Sequence, residues 1–162
     1  MANILRKNKS VVETNHVSAV RTGNIKAQYP MAASVTGQEL QNGMAVVADD
    51  VTRTVLLPTA GKTIYLHVSE EQVYEEHLGR NSFSVKAPKL PKCLKLEVGD
   101  IFETNAVTLD AAVTLGTAVY PGTDGFWTAT VMATTLSGKV VALVTLPNGE
   151  PGVKIAITGI SV

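Results

Sequence analysis

Apolar and polar side chains alternate with a period of two from Val17 onward, and turn-forming dipeptides interrupt the alternation at short intervals. Thr63-Ile-Tyr-Leu-His-Val sets Ile64, Leu66 and Val68 on one face. The stretches from Val51 to Leu57, Phe126 to Leu136, Lys139 to Leu146 and Val153 to Ile157 read as further strands rich in β-branched residues. Successive side chains of a strand point to opposite faces, so this alternation suits sheets that bury one face. Turns are supplied by Asn42-Gly43, Pro58 to Gly61, Pro121-Gly122, Asp124-Gly125, Ser137-Gly138 and Pro147-Asn-Gly149. Asp124-Gly125 and Ser137-Gly138 lie between apolar runs, where hairpin turns fall. Short strands at such spacing predict an all-β chain, a β-sandwich or a β-barrel.

Two segments depart from that pattern. Ser69 to Gly79 predicts one short helix over about 69–78. Ser69 is a good N-cap, Glu70 and Glu71 lie in the first turn, Gln72 holds the capping-box position and Gly79 stops the helix. Residues 1–16 predict an extended basic arm ahead of a β domain spanning 17–162. Arg6, Lys7 and Lys9 crowd the start, and the first 30 residues carry five basic side chains against one acidic. The zero net charge of the whole chain, 14 basic and 14 acidic residues, is therefore a cancellation between this start and a mildly acidic body.

Several classes of function are disfavoured. Zero net charge and scattered aromatics argue against a nucleic-acid binder. One cysteine, Cys93, excludes a disulfide framework and a cysteine zinc site. No apolar run is long enough for a membrane helix, and the first residues lack the apolar stretch of a secretory signal. Leu57-Pro-Thr-Ala-Gly-Lys-Thr imitates a phosphate-binding loop, but Leu56 stands where that loop needs glycine and a strand pattern follows instead of a helix. His16, His67 and His77 lack metal-ligand spacing. The carboxylate pairs Asp49-Asp50, Glu70-Glu71 and Glu75-Glu76 diverge on a strand or helix. The expectation is a protein with no catalytic residues, metal or cofactor, whose work is contact.

Lys86-Ala-Pro-Lys-Leu-Pro-Lys-Cys-Leu-Lys places a lysine at every third position between prolines. In a polyproline II segment, three residues to the turn, Lys86, Lys89, Lys92 and Lys95 would share one ridge. An echo joins Gly43-Met-Ala-Val-Val to Gly116-Thr-Ala-Val-Tyr, and Leu57-Pro58, Gly61 and Ile64 to Leu146-Pro147, Gly152 and Ile155. It suggests two related β subunits, near 30–100 and 101–162. Phe126-Trp127 begins a strand, so one ring faces the core and the other the rim. Trp127 and Tyr120 are the candidate anchors of a subunit interface.

The series Val98-Gly-Asp-Ile-Phe, Leu115-Gly-Thr-Ala-Val-Tyr, Asp124-Gly-Phe-Trp, Lys139-Val-Val-Ala-Leu-Val and Val153-Lys-Ile-Ala-Ile resembles the small β proteins that decorate tailed-phage heads. The resemblance covers 98–162. It implies a structural virion protein, a homo-oligomer with a trimer favoured, bound to the major capsid protein on the capsid exterior and stabilising it by bridging capsomers. Arg6, Lys7, Lys9, Lys86, Lys89 and Lys92 are then the expected capsid-binding residues, and neither nucleic acid nor membrane is an expected partner. Two other readings stand beside it: a fibre-base, tail or baseplate component, and a carbohydrate-binding β-sandwich stacking sugars on Trp127, Tyr120 or Tyr65.

Overall fold

The computed structural model describes residues 8–35, 37–69, 82–108, 113–132 and 136–160. In chain order the elements are β1 (Val12–His16), α1 (Ser18–Thr22), β2 (Ile25–Lys26), β3 (Ala45–Asp49), β4 (Thr54–Leu56), β5 (Ile64–His67) and β6 (Cys93–Lys95). Then follow β7 (Ile101–Thr104), β8 (Val107–Thr108), β9 (Ala118–Pro121), β10 (Trp127–Thr128), β11 (Leu136–Thr145) and β12 (Pro151–Ile160). They form two open sheets, one ordered β1-β7-β12-β11-β9-β10-β8 and one ordered β2-β6-β5-β3-β4. The chain is all-β and sandwich-like; of the two architectures expected, no closed barrel is formed among the described residues.

One apolar core lies between the sheets. Ala45, Val47, Ile64, Leu66 and Leu94 from the five-stranded sheet pack with Phe102, Val119, Trp127, Val140, Val153, Ile155 and Ile157 from the other. A second core covers the far face of the five-stranded sheet, where Met31, Val35, Leu40, Met44, Phe83 and Val85 close over Val46, Val55, Tyr65 and Cys93. β3 and β5 are therefore apolar on both faces, as strands buried on both sides must be. The seven-stranded sheet keeps one face in water, and β12 alternates accordingly.

The two sheets repeat one plan in the same chain order. β2, β3, β4, β5 and β6 occupy the positions that β7, β9, β10, β11 and β12 occupy in the larger sheet. The hydrogen bonds correspond residue by residue. Gly43 N–H donates to His67 O (2.9 Å) and Gly116 N–H to Val140 O (2.8 Å). Lys95 N–H donates to Asn24 O, and Ile157 N–H to Asp100 O. Val55 N–H donates to Pro30 O, and Trp127 N–H to Ala106 O. Gly43 and Gly116 both have positive φ, 88° and 85°, two residues before their strands begin. The Leu-Pro half of the sequence echo runs differently: it equates β5 with β12, whereas sheet position equates β5 with β11. The boundary near residue 100 is a change of sheet, with both halves sharing one core.

Several local expectations are corrected. Residues 18–22, read as part of the alternating region, form helix α1 because the distant Asp100 carboxylate accepts Ser18 N–H (2.9 Å), while Gly23 at φ 74° ends it. The long strand from Phe126 to Leu136 is broken: β10 ends at Thr128 and β11 starts at Leu136. Ser137-Gly138 is no hairpin turn but the interior of β11, where a Cβ on Gly138 would approach Ile155 Cγ2 to 2.8 Å. The helix expected over 69–78 falls, beyond Ser69, outside the described residues. Residues 10–16 are not a free arm. Ser10, Val11 and Val12 are buried, and β1 pairs with β7 at the sheet edge.

Candidate functional site

The N-terminal segment is held by side chains rather than by a long ladder. Asn105 Oδ1 accepts Val11 N–H (2.9 Å), and Thr104 Oγ1 donates to Val11 O (2.7 Å). The Glu150 carboxylate accepts from the amides of Asn8 and Asn105, 2.8 Å each. Ser10 donates its N–H to Gln41 Oε1 and its hydroxyl to Asn42 O. These bonds satisfy a buried backbone that would otherwise carry a large desolvation cost.

From Gln41 a buried chain of hydrogen bonds leads to the lysine strip. Gln41 O lies 2.8 Å from His67 Nδ1, and His67 Nε2 lies 2.8 Å from Ser69 Oγ. A carbonyl only accepts, so Nδ1 carries the proton and Nε2 accepts from the hydroxyl. Ser69 Oγ in turn accepts Lys92 N–H (3.1 Å), and Asn42 brackets Ser69 through both its amide atoms. His67 is fully buried, and that burial pushes its pKa down to about 4.

On the surface above this network Lys9 and Lys86 both pair with Glu39, which also accepts from Ser84 Oγ. The hydrogen bond from Lys86, then that from Lys9, lower the Glu39 pKa to about 2. The basic start and the lysine strip, far apart in sequence, thus form one edge. Lys89 is exposed beside it, on a turn closed by its N–H to Lys86 O (2.9 Å) across a cis Ala87–Pro88 peptide. The common ridge of four lysines does not form. The chain turns at 86–89, Lys92 is half-buried, and Lys95 belongs to β6 with Glu97 nearby (3.8 Å). Arg6 and Lys7 lie outside the described residues.

Two of the three aromatic candidates lie inside the molecule. Trp127 is completely buried, with its indole N–H on Gly43 O (2.9 Å) and its ring tilted against Phe102 at 5.4 Å. It therefore cannot anchor a subunit interface, and the partly exposed ring of the pair is Phe126. Tyr120 is half-buried on the outward face of β9. Tyr65 is buried like Trp127, so of the three sugar-stacking candidates Tyr120 alone reaches the surface. Burial raises the Cys93 pKa to about 12, which leaves a quiet thiol.

The residues that sequence reasoning missed are Glu39, Gln41, Asn105 and Glu150. None belongs to a local motif; each acts on a segment at least 30 residues away. No family model, curated protein or solved structure matches this chain.

Proposed function

We propose that the protein is a structural, contact-making component of a phage virion, docked on the outside of the capsid through its basic edge. The observation that carries this reading is the meeting of Lys9 and Lys86 on Glu39, with Lys89 exposed alongside. Among the described residues, three lysines meet one carboxylate there, a local excess of positive charge, and Arg6 and Lys7 stand close to Lys9 in sequence. The edge stands on a rigid frame, since the hydrogen bonds from Ser10 through Gln41, His67 and Ser69 to Lys92 fix both strips against the sandwich. A preorganised contact surface loses little freedom on binding. The capsid as partner is supported by the resemblance over 98–162. A protein that binds only the assembled shell stabilises it by mass action.

The test is co-sedimentation with empty heads built from the major capsid protein encoded alongside this chain. Deleting residues 2–12 is unsuitable, because it would remove the buried Ser10, Val11 and Val12 along with the charge. Deletion of residues 2–7 combined with Lys86→Ala and Lys89→Ala leaves those anchors in place. The full chain is expected to sediment with heads and the variant to stay in the supernatant. Failure of the full chain to bind, or undiminished binding by the variant, overturns the reading.

A further inference from the structure

The internal repeat shows what belongs on a surface that the molecule leaves open. In the five-stranded sheet, Ile25, Leu94, Leu66 and Ala45 form a cross-strand row that packs on the other sheet. The same register positions in the seven-stranded sheet hold Ile101, Ala156, Lys139 and Ala118. That row points outward, because its alternating neighbours Phe102, Ile155, Val140 and Val119 fill the core. The two units are thus stacked in the same sense, and the row that one buries the other leaves partly exposed.

We propose that this outward face is the seat of a second copy of the chain, packed sheet on sheet about a two-fold axis running along β12. The molecule's own other half shows that a sheet covers this register. Ile101, Ala118 and Ala156 offer an apolar strip, extended by Tyr120 and by Ala142, the register partner of Lys154. The charges suit a copy of the same face. Glu13 and Glu103 lie on β1 and β7, to one side of β12, and Lys139 lies on β11, to the other. A two-fold axis along β12 lays β11 of one copy over β7 of the next, so basic meets acidic twice. Glu103 also pairs with Lys154 on β12 itself at 2.8 Å, so Lys139 of the second copy joins an existing pair, one carboxylate serving two lysines as Glu39 does. Lys139 stands where the other unit has Leu66. It opposes a head-to-tail stack on the apolar far side of a five-stranded sheet, which is in any case covered.

This contact is two-fold, whereas the phage resemblance implies a trimer, and it rests on the reading of the protein as one that works by contact. Multi-angle light scattering on the full chain is expected to give twice the chain mass. Ala156→Arg is expected to give the single-chain mass with unchanged far-UV circular dichroism. Ala156→Cys is expected to yield a disulfide-linked dimer on mild oxidation, since the two copies of residue 156 oppose each other at the axis and Cys93 is buried. Lys139→Glu, which sets a carboxylate against Glu103 of the other copy, is expected to weaken the dimer about tenfold. A wild-type chain of single mass, or an oligomer untouched by Ala156→Arg, overturns the proposal. The same Ala156→Arg protein run against heads separates the two readings, because its basic edge is intact.

Discussion

Trp127 shows how one side chain can close a core. Its ring lies between the sheets, its indole N–H reaches Gly43 O, and it packs on Phe102. Trp127→Ala is expected to cost about 3–5 kcal/mol, read as a lowered midpoint in urea denaturation. His67 gives a pH signature. Burial lowers its pKa from 6.5 to about 4, so the folded protein holds it neutral. The unfolded chain takes up a proton as pH falls through about 6.5, and the folded chain does so only near 4. The stabilising contribution is full above about 6.5, declines between, and is gone below about 4. A loss on the order of 3 kcal/mol across that window is expected for the wild type. His67→Gln should remove the slope there, and parallel slopes would contradict the assignment. Glu39, lowered to about 2 by its lysines, acts in a separate and more acidic window. The alternation sets His67 on the strand face opposite Leu66. It could not show that a second layer of chain covers that face.

At the scale of elements, β1 is the strand whose place depends most on side chains. It pairs along one edge only, with a register shift between Glu13 and His16. Asn105 and Glu150 supply what the ladder does not. Glu150→Ala is expected to cost about 1–3 kcal/mol by leaving the buried Asn105 amide unpaired. Amide hydrogen exchange at Val11 and Val12 should accelerate more than exchange in β11 and β12; equal acceleration throughout would show that Glu150 does not act locally. β11 and β12 were legible in advance, since both are long, β-branched and joined by Pro147-Asn-Gly149. Helix α1 was not, because its N-terminal partner is Asp100, 82 residues away.

For the whole molecule, the shared core makes the two sheets one cooperative unit. Each buries one apolar face against the other, so neither half keeps the shared core alone. A single unfolding transition is expected, with Trp127 fluorescence and far-UV circular dichroism coincident. Separate midpoints would mean that the halves fold independently.

The sequence by itself determined the all-β class, many of the turns and the imbalance between a basic start and a mildly acidic body. These follow from period-two alternation, glycine and proline chemistry and local charge, all carried by neighbouring residues. Tertiary structure decided what depends on residues far apart. It joined Lys9 to Lys86 through Glu39, sank Trp127 into the core, built residues 10–16 into the sheet edge and gave the two sheets one register. Alternation states that a strand has two unlike faces. Which face is covered, and by what, is fixed only when the layers pack.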